Sequence, residues 1–351
     1  MTDPERERIA AAYRRFAEQE AHWRSPLYEE LALSIATDRE MIEFLATLPP
    51  AKRQPNLLLA AARSICGTAR GWREFRVAVL GHAAAIRQVM LARTTQTNEP
   101  GRCAALLPVL SSLPQPLALL EVGASAGLCL LPDRYGYDYR GHVLRPAADG
   151  FAGPIFPCAI DQWTPVPQAL PQVVWRAGLD LDPVNLGDPS DMAWLKALVW
   201  PEQTGRLRRL EQAMTVASAN RPRVVAGDLR HDLVALAAEA PRDATLVIFH
   251  TAVLAYVADR EERAEFARSV GTQCDFWIAN EAAHVFREIA TRAGDAASAG
   301  NPDPSGAPTG GGRFLLSVNG NPVAWTDPHG ASLAWIAASP GGFASNRRIR
   351  S

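Results

Sequence analysis

An apolar run from Leu117 to Val122 that breaks at once into Gly123, Ala124, Ser125, Ala126 and Gly127 constrains this chain more than any other feature. Leu117, Leu119, Leu120 and Val122 make the short run expected of a strand buried on both faces. The small residues that follow allow a tight turn and a close approach of the backbone to a bound molecule. A helix is expected from about Ala126, with its positive end facing that molecule. The segment therefore reads as a ligand-binding corner in an α/β sheet. A turn that only packs a helix onto a sheet would be spelled the same way, so neighbouring segments must carry the rest of the argument.

Three chemistries use such a corner, and spacing separates them. A dinucleotide-binding turn needs a third glycine at position 128, where this chain has Leu128, which disfavours a nicotinamide or flavin site. The spelling Gly123-x-Ser125-x-Gly127 also fits a nucleophile elbow, with Ser125 awaiting an acid and a histidine such as His250 or His329. The same stretch resembles the first loop of class I S-adenosylmethionine-dependent methyltransferases, where an acid and three glycines follow the first strand. Glu121, Gly123 and Gly127 match that pattern, and Ser125 replaces the middle glycine.

The residues before the corner favour the last of these. A serine hydrolase places several strands ahead of its nucleophile, whereas residues 1–115 carry helical signals only. Ser25 and Pro26 form an N-cap and a first-turn proline, and Asp38 caps another helix through Met41, Ile42 and Leu45. Helical periodicity also covers Leu57 to Ile65, Trp72 to about Leu91, and Cys103 to Leu110. The expected organisation is a helical region over 1–115 and an α/β domain over 116–351.

Size and composition suit that division. The chain has 351 residues, of which 48% are hydrophobic, enough for a sizeable core. A formal net charge of −1 supplies no general attraction to nucleic acid or to an anionic membrane. No apolar run approaches the ~20 residues of a membrane span, and the charged start Asp3, Glu5, Arg6, Glu7, Arg8 argues against a signal peptide, so a cytoplasmic location is expected. The five cysteines form no CxxC pair and the seven histidines no HExxH motif, so no locally assembled metal site is expected.

Beyond the corner, strand and helix patterns alternate as a doubly wound, mostly parallel Rossmann-like sheet requires. Strands are expected at Val173–Asp180, Arg223–Asp228, Thr245–His250 and Phe276–Glu281, each ending in a polar residue. Helices should fill the gaps: one capped by Ser190, one carrying Leu207, Leu210 and Met214, one from about His231, and one over Glu261 to Val270. Asp133 to Tyr139 alternates aromatic and polar residues like a half-exposed strand, and its tyrosines either cover the sheet edge or form a lid. Thr291 to Gly312 has loop composition. After it, Asn319-Gly320-Asn321 between two apolar runs signals a hairpin, with a further strand over Ala331 to Ile336. Class I methyltransferases likewise end in antiparallel strands.

Open α/β sheets bind ligands at the carboxyl ends of their strands, which nominates the site residues. Glu121, Gly123, Ala124, Ser125 and Gly127 would form the cofactor loop. Asp180 would hold ribose hydroxyls and Asp228 the adenine amine, although either is equally a helix cap or a solvated loop acid. Asp180 also lies far beyond the ~20 residues at which a ribose acid usually follows a glycine fingerprint, which requires an insertion. His250 is the first candidate for a proton-accepting base, with Glu281 and Tyr256 behind it. Gln96, Asn98, Glu99, Arg134 and Tyr135 are candidates for the substrate side, with a cap for the following helix as the plainer role of Thr97 or Asn98.

The runs Thr94 to Glu99, Glu121 to Leu128, Asp133-Arg134-Tyr135 and Val199-Trp200-Pro201-Glu202, taken in this order, resemble the uncharacterised bacterial family named domain of unknown function 2332. The similarity covers most of the chain. It implies an architecture more than a chemistry. The expectation that follows is an S-adenosylmethionine-binding protein transferring a methyl group to a small polar acceptor. A catalytically silent adenosyl-binding or partner-binding module and a serine hydrolase using Ser125 stand as alternatives.

Overall fold

The computed structural model describes residues 3–96, 98–147, 150–297, 312–336 and 343–346. They form two compact units, 1–97 together with 187–208, and 98–186 together with 209–351. A later segment, 187–208, thus groups with the N-terminal helices.

The helical unit contains α1 (Asp3–Phe16), α2 (Pro26–Ile35), α3 (Arg39–Ala46), α4 (Pro55–Cys66), α5 (Trp72–Gly81) and α6 (Ala83–Ala92). Ser25 and Asp38 cap α2 and α3 by accepting from the Tyr28 and Met41 amides, as their sequence positions suggested. The long period from Trp72 is two helices rather than one, bent by 84° at His82. The returning segment brings α8 (Pro189–Ala197), capped by Asp188 and not Ser190. Behind it, Glu202 accepts from the Ser25 hydroxyl at 2.7 Å and the Leu27 amide at 3.1 Å, while the Trp200 indole donates to Asn56 Oδ1 at 3.0 Å. The Val199 to Glu202 run therefore fastens helix ends within this unit.

The second unit starts with α7 (Arg102–Ser112) and β1 (Leu117–Val122), whose six residues are all buried. Next come β2 (Gly136–Tyr139), β3 (His142–Leu144), β4 (Ile155–Pro157), β5 (Ala159–Ile160) and β6 (Val173–Asp180). The chain continues through α9 (Thr204–Asn220), β7 (Arg223–Ala226), α10 (Leu233–Ala237), β8 (Thr245–Thr251), α11 (Arg260–Val270), β9 (Phe276–Ala282) and α12 (Arg287–Ala297). It closes with β10 (Phe314–Val318), β11 (Asn321–Thr326) and β12 (Ser332–Trp335).

Nine strands form one sheet in the order β5-β12-β11-β10-β9-β8-β1-β6-β7. The five strands β7, β6, β1, β8 and β9 run parallel, and β10, β11 and β12 add antiparallel pairs. Strand order reverses at β1, which makes its carboxyl end the switch point where open sheets splay and leave a crevice. The hairpin between β10 and β11 turns on Asn319 and Gly320, both with positive φ as a two-residue turn of this hand requires.

Alternation along the strands divides the sheet into two faces. Ala118, Leu120, Val122, Leu246, Ile248, Trp277 and Ala279 pack with Leu233, Leu236, Phe266, Val270 and Ile289 from the helices that follow β7, β8 and β9. Leu119, Glu121, Phe249 and Thr251 point the other way. Two expectations fail on that second side. The helix expected from Ala126 is absent, and only single 3₁₀ turns at Leu128–Leu130 and Pro132–Arg134 follow the loop. The tyrosine segment lies in a separate three-stranded sheet, β3-β2-β4, and Tyr135, Tyr137 and Tyr139 are 0 to 2% exposed, so it is neither an edge cover nor a lid. Their hydroxyls donate to the carbonyls of Leu128, Pro132 and Ala104. This insertion occupies the chain between β1 and β6 and explains why Asp180 comes so late. The expected loop over Thr291 to Gly312 begins inside α12, and residues 298–311 lie outside the described residues.

Candidate functional site

Gly123, Ser125 and Gly127 take positive φ of 72°, 50° and 71°. At Gly123 the space is closed as well, because an added Cβ would stand 2.3 Å from Val253 Cγ2. At Gly127 it would stand 2.8 Å from Pro222 Cγ. Ser125 adopts the left-handed region without glycine's freedom, at a cost of about 1 kcal/mol. Its hydrogen bonds supply a compensation: the amide donates to Asp180 Oδ2 at 2.8 Å, and the hydroxyl accepts from Asn98 Nδ2 at 2.6 Å.

All five amides of the loop are bonded within the protein. Gly123 and Ala124 donate to Leu179 O at 2.7 and 3.3 Å, Ala126 to Asn98 Oδ1 at 2.9 Å, and Gly127 to Ala124 O at 2.6 Å. The expectation that amides near Ser125 face a ligand is therefore corrected: Asn98 and Asp180 occupy those donors. Asp180 closes the loop, with its other oxygen accepting from the Asp182 amide at 2.8 Å. Asp228 is turned to its own loop. The Arg230 guanidinium contacts both its oxygens and pulls its carboxyl down to about 2.

His250 sits at the carboxyl end of β8 but is 0% exposed. Trp277 Nε1 lies 3.0 Å from His250 Nε2, and an indole can only donate, so Nε2 is the acceptor. The proton is then on Nδ1 and is donated to Glu281 Oε1 at 2.7 Å. That same Glu281 oxygen accepts the amides of Val253 and Leu254 at 2.9 and 3.2 Å. Phe266, Trp277 and Phe286 surround the ring. As arranged, His250 and Glu281 hold the end of β8 in place, with neither imidazole nitrogen open to a substrate. They also lie on the sheet face opposite Glu121. Tyr256, in the 3₁₀ turn Leu254–Tyr256, is 73% exposed as a residue, while partial burial of its ring end pushes its hydroxyl above the ordinary range.

The second face gathers charged groups, of which the sequence marked Glu121 but not Arg102. Glu121 is 4% exposed, and its Oε2 has no hydrogen-bond partner among the described residues. Burial pushes its carboxyl well above the ordinary range, Cys129 and Asp180 adding to the effect and the Arg102 guanidinium opposing it. Arg102, in the first turn of α7, is also 4% exposed. Its Nε donates to Pro328 O at 2.8 Å, its Nη1 to Thr251 O and Oγ1 at 3.0 and 3.3 Å, and it lies 5.8 Å from the Phe314 ring centroid. All these partners are neutral. A cation at a helix N-terminus opposes the helix dipole, and that is the one signal in the sequence that could have singled it out. Beside them, contact with Cys103 and burial raise the Cys129 thiol.

The substrate candidates divide. Asn98 bridges the loop. Glu99 is buried, caps the turn by accepting from the Gly101 amide at 3.0 Å, and approaches His329 Nδ1 at 3.5 Å. Gly101, not Asn98, precedes α7 as its cap residue, and Thr97 lies outside the described residues. Gln96 belongs to the helical unit. Arg134 pairs with Asp133 at 3.1 Å, whose carboxylate also takes a two-pronged contact from Arg176. Tyr135 is internal. His250, one of the partners a Ser125 nucleophile would need, is held by Trp277 and Glu281.

Among the described residues no group of three or more potential ligands could hold a metal ion. No single described helix is long and apolar enough to cross a membrane. Comparison with curated proteins and with solved structures gives no match. The family described as an uncharacterized protein conserved in bacteria (DUF2332) matches over residues 10–335, nearly the full length, and the chain belongs to that family.

Proposed function

We propose that the sheet unit binds an adenosyl ligand of the S-adenosylmethionine type at the carboxyl edge of β1 and β6, and that methyl transfer to a small polar acceptor is its reaction. The observation carrying this proposal is the placement of acids along the strand order. Glu121 is the penultimate residue of β1, and Asp180 is the last residue of its parallel neighbour β6. The order of β7, β6, β1, β8 and β9 resembles that of class I methyltransferases, where the ligand lies across these strand ends. With the loop amides bonded internally, side chains rather than backbone donors would hold the ligand. Each Asp180 oxygen takes one backbone donor, from Ser125 and Asp182, and keeps acceptor capacity for ribose hydroxyls.

A sulfonium ligand supplies an activated methyl carbon, so the protein's work is to orient the acceptor and remove its proton where necessary. Tyr256 is the candidate left at the rim once His250 is enclosed. That enclosure favours a second reading, an adenosyl-binding module without turnover. Calorimetry with S-adenosylmethionine tests binding, and release of S-adenosylhomocysteine on exposure to a metabolite extract tests turnover. Absence of binding would remove the proposal, and binding without release would select the silent module. Labelling of Ser125 by a fluorophosphonate would reinstate the hydrolase instead.

A further inference from the structure

None of the groups described so far takes up a proton near neutral pH. Both nitrogens of His250 are engaged, and the Tyr256 hydroxyl, raised by burial, keeps its proton well past neutrality. His329, which the sequence offered only as a partner for Ser125, is placed differently. Its side chain is 36% exposed, while Nδ1 is shielded from solvent and stands 3.5 Å from Oε2 of the buried Glu99. The ring edge turned away from Glu99 carries Nε2.

The loop that carries His329 is fixed through its backbone. The His329 amide donates to Asp327 Oδ1 at 2.8 Å, and the Gly330 amide to Asp327 O at 2.9 Å. A Cβ at Gly330 would stand 2.1 Å from Gly101 O, and one at Gly101 2.6 Å from His329 O, so the loop lies directly on the turn that opens α7. β11, which precedes the loop, runs in the direction of β9 because β10 is antiparallel to both, so the loop leaves at the carboxyl edge of the sheet. Two ties bring it to the crevice. Glu99 follows Asn98, which bonds the Ser125 hydroxyl and the Ala126 amide, and Arg102 joins Pro328 O to Thr251 O at the end of β8, the neighbour of β1.

We propose that His329, oriented by Glu99, is the proton acceptor of this site, and that the methyl acceptor it serves carries its proton on a hydroxyl or an amine. With Glu99 accepting from Nδ1–H, the lone pair of the neutral imidazole is on Nε2. The loose contact tightens once the ring gains charge. The acceptor's proton passes to Nε2, its bonding pair stays on the oxygen or nitrogen and forms the new bond to the methyl carbon, and the carbon–sulfur pair remains on sulfur. A carboxylate or thioether acceptor needs no such base, so the pair narrows the acceptor class. The inference rests on the transferase reading of this sheet edge.

Two measurements on the full chain test it. The first is carbethoxylation by diethyl pyrocarbonate, located by mass spectrometry, with and without saturating S-adenosylhomocysteine. His329 should react while the enclosed His250 does not, and the nucleoside should slow the reaction at His329 several-fold. The second is S-adenosylhomocysteine release with a metabolite extract. His329→Gln should lower it by about a hundredfold or more with nucleoside affinity unchanged. Wild-type turnover should rise with pH within the imidazole range, about pH 5 to 8, and the variant should lose that limb. The charged groups set around this loop are Glu99, Arg102 and Asp327, and all three persist in the variant, as does Glu121, whose carboxyl burial raises. Should the variant not fold, the protection measurement on the wild-type chain decides. Nucleoside binding without protection of His329, or a variant that turns over like wild type, would overturn this inference and leave the adenosyl reading intact. Binding without any wild-type turnover would overturn it and select the silent module, and absence of binding would remove both.

Discussion

Asn98 and Ser125 are joined by a 2.6 Å hydrogen bond from the Asn98 carboxamide to the Ser125 hydroxyl, and the other end of that carboxamide accepts from the Ala126 amide. One side chain thereby satisfies two polar groups of a loop held in left-handed geometry. Asn98→Leu should cost about 2 kcal/mol, since it strands the buried Ala126 amide and removes a hydrogen bond to the Ser125 hydroxyl. Chemical denaturation checks this. A midpoint unchanged from wild type would show that the bridge does not hold the loop.

Gly123 and Val253 form a steric pair. Gly123→Ala places a methyl where Val253 already stands and adds left-handed strain, for a combined loss of about 2 kcal/mol or more. Val253→Ala in the same chain should recover the steric part only, leaving about 1 kcal/mol of strain. A double-mutant cycle measures the coupling, and strict additivity of the two substitutions would refute the contact.

His250→Ala removes the acceptor of the Trp277 indole and the donor to Glu281, and leaves a cavity among aromatic rings. The expected loss is about 3 kcal/mol, seen as a lowered unfolding midpoint. A base at an open site would behave differently, with turnover lost and stability kept. The second pattern would contradict the enclosed geometry.

Glu121 gives stability a pH dependence. An acid whose folded pKa is raised above its unfolded value, near 4.5, contributes stability that is fully present below that value and is lost as pH rises through the folded pKa. Glu121→Gln cannot ionise, so the variant should lose less stability than wild type as pH climbs from about 4.5. Denaturation midpoints across that range test it, and parallel pH profiles would show that Glu121 does not carry the dependence.

Much of the frame was legible from local chemistry. Ser25 with Pro26, and Asp38, mark helix starts because their side chains satisfy amides that every helix leaves free. Asn319 and Gly320 mark a hairpin because few residues accept positive φ in succession. β1 and β8 announce themselves as apolar runs because both of their faces are covered. The signal failed where the cause was distant. Leu128 to Leu130 is apolar enough to continue a helix, but Pro132 and the buried tyrosine segment end it after single turns.

The site divides along the same line. Sequence alone determined that β1 ends in a turn of small residues with an acid before it and that acids and a histidine stand at neighbouring strand ends, because strand periodicity and glycine conformations are properties of a few consecutive residues. Only the tertiary structure decided what those groups do. Asn98 and Asp180 take up amides of the loop, Trp277 and Glu281 enclose His250, and Arg102 comes close enough to act electrostatically on Glu121. Hydrogen-bond saturation and burial depend on partners far along the chain, and no local spacing records which donors and charges the folded protein has left unsatisfied.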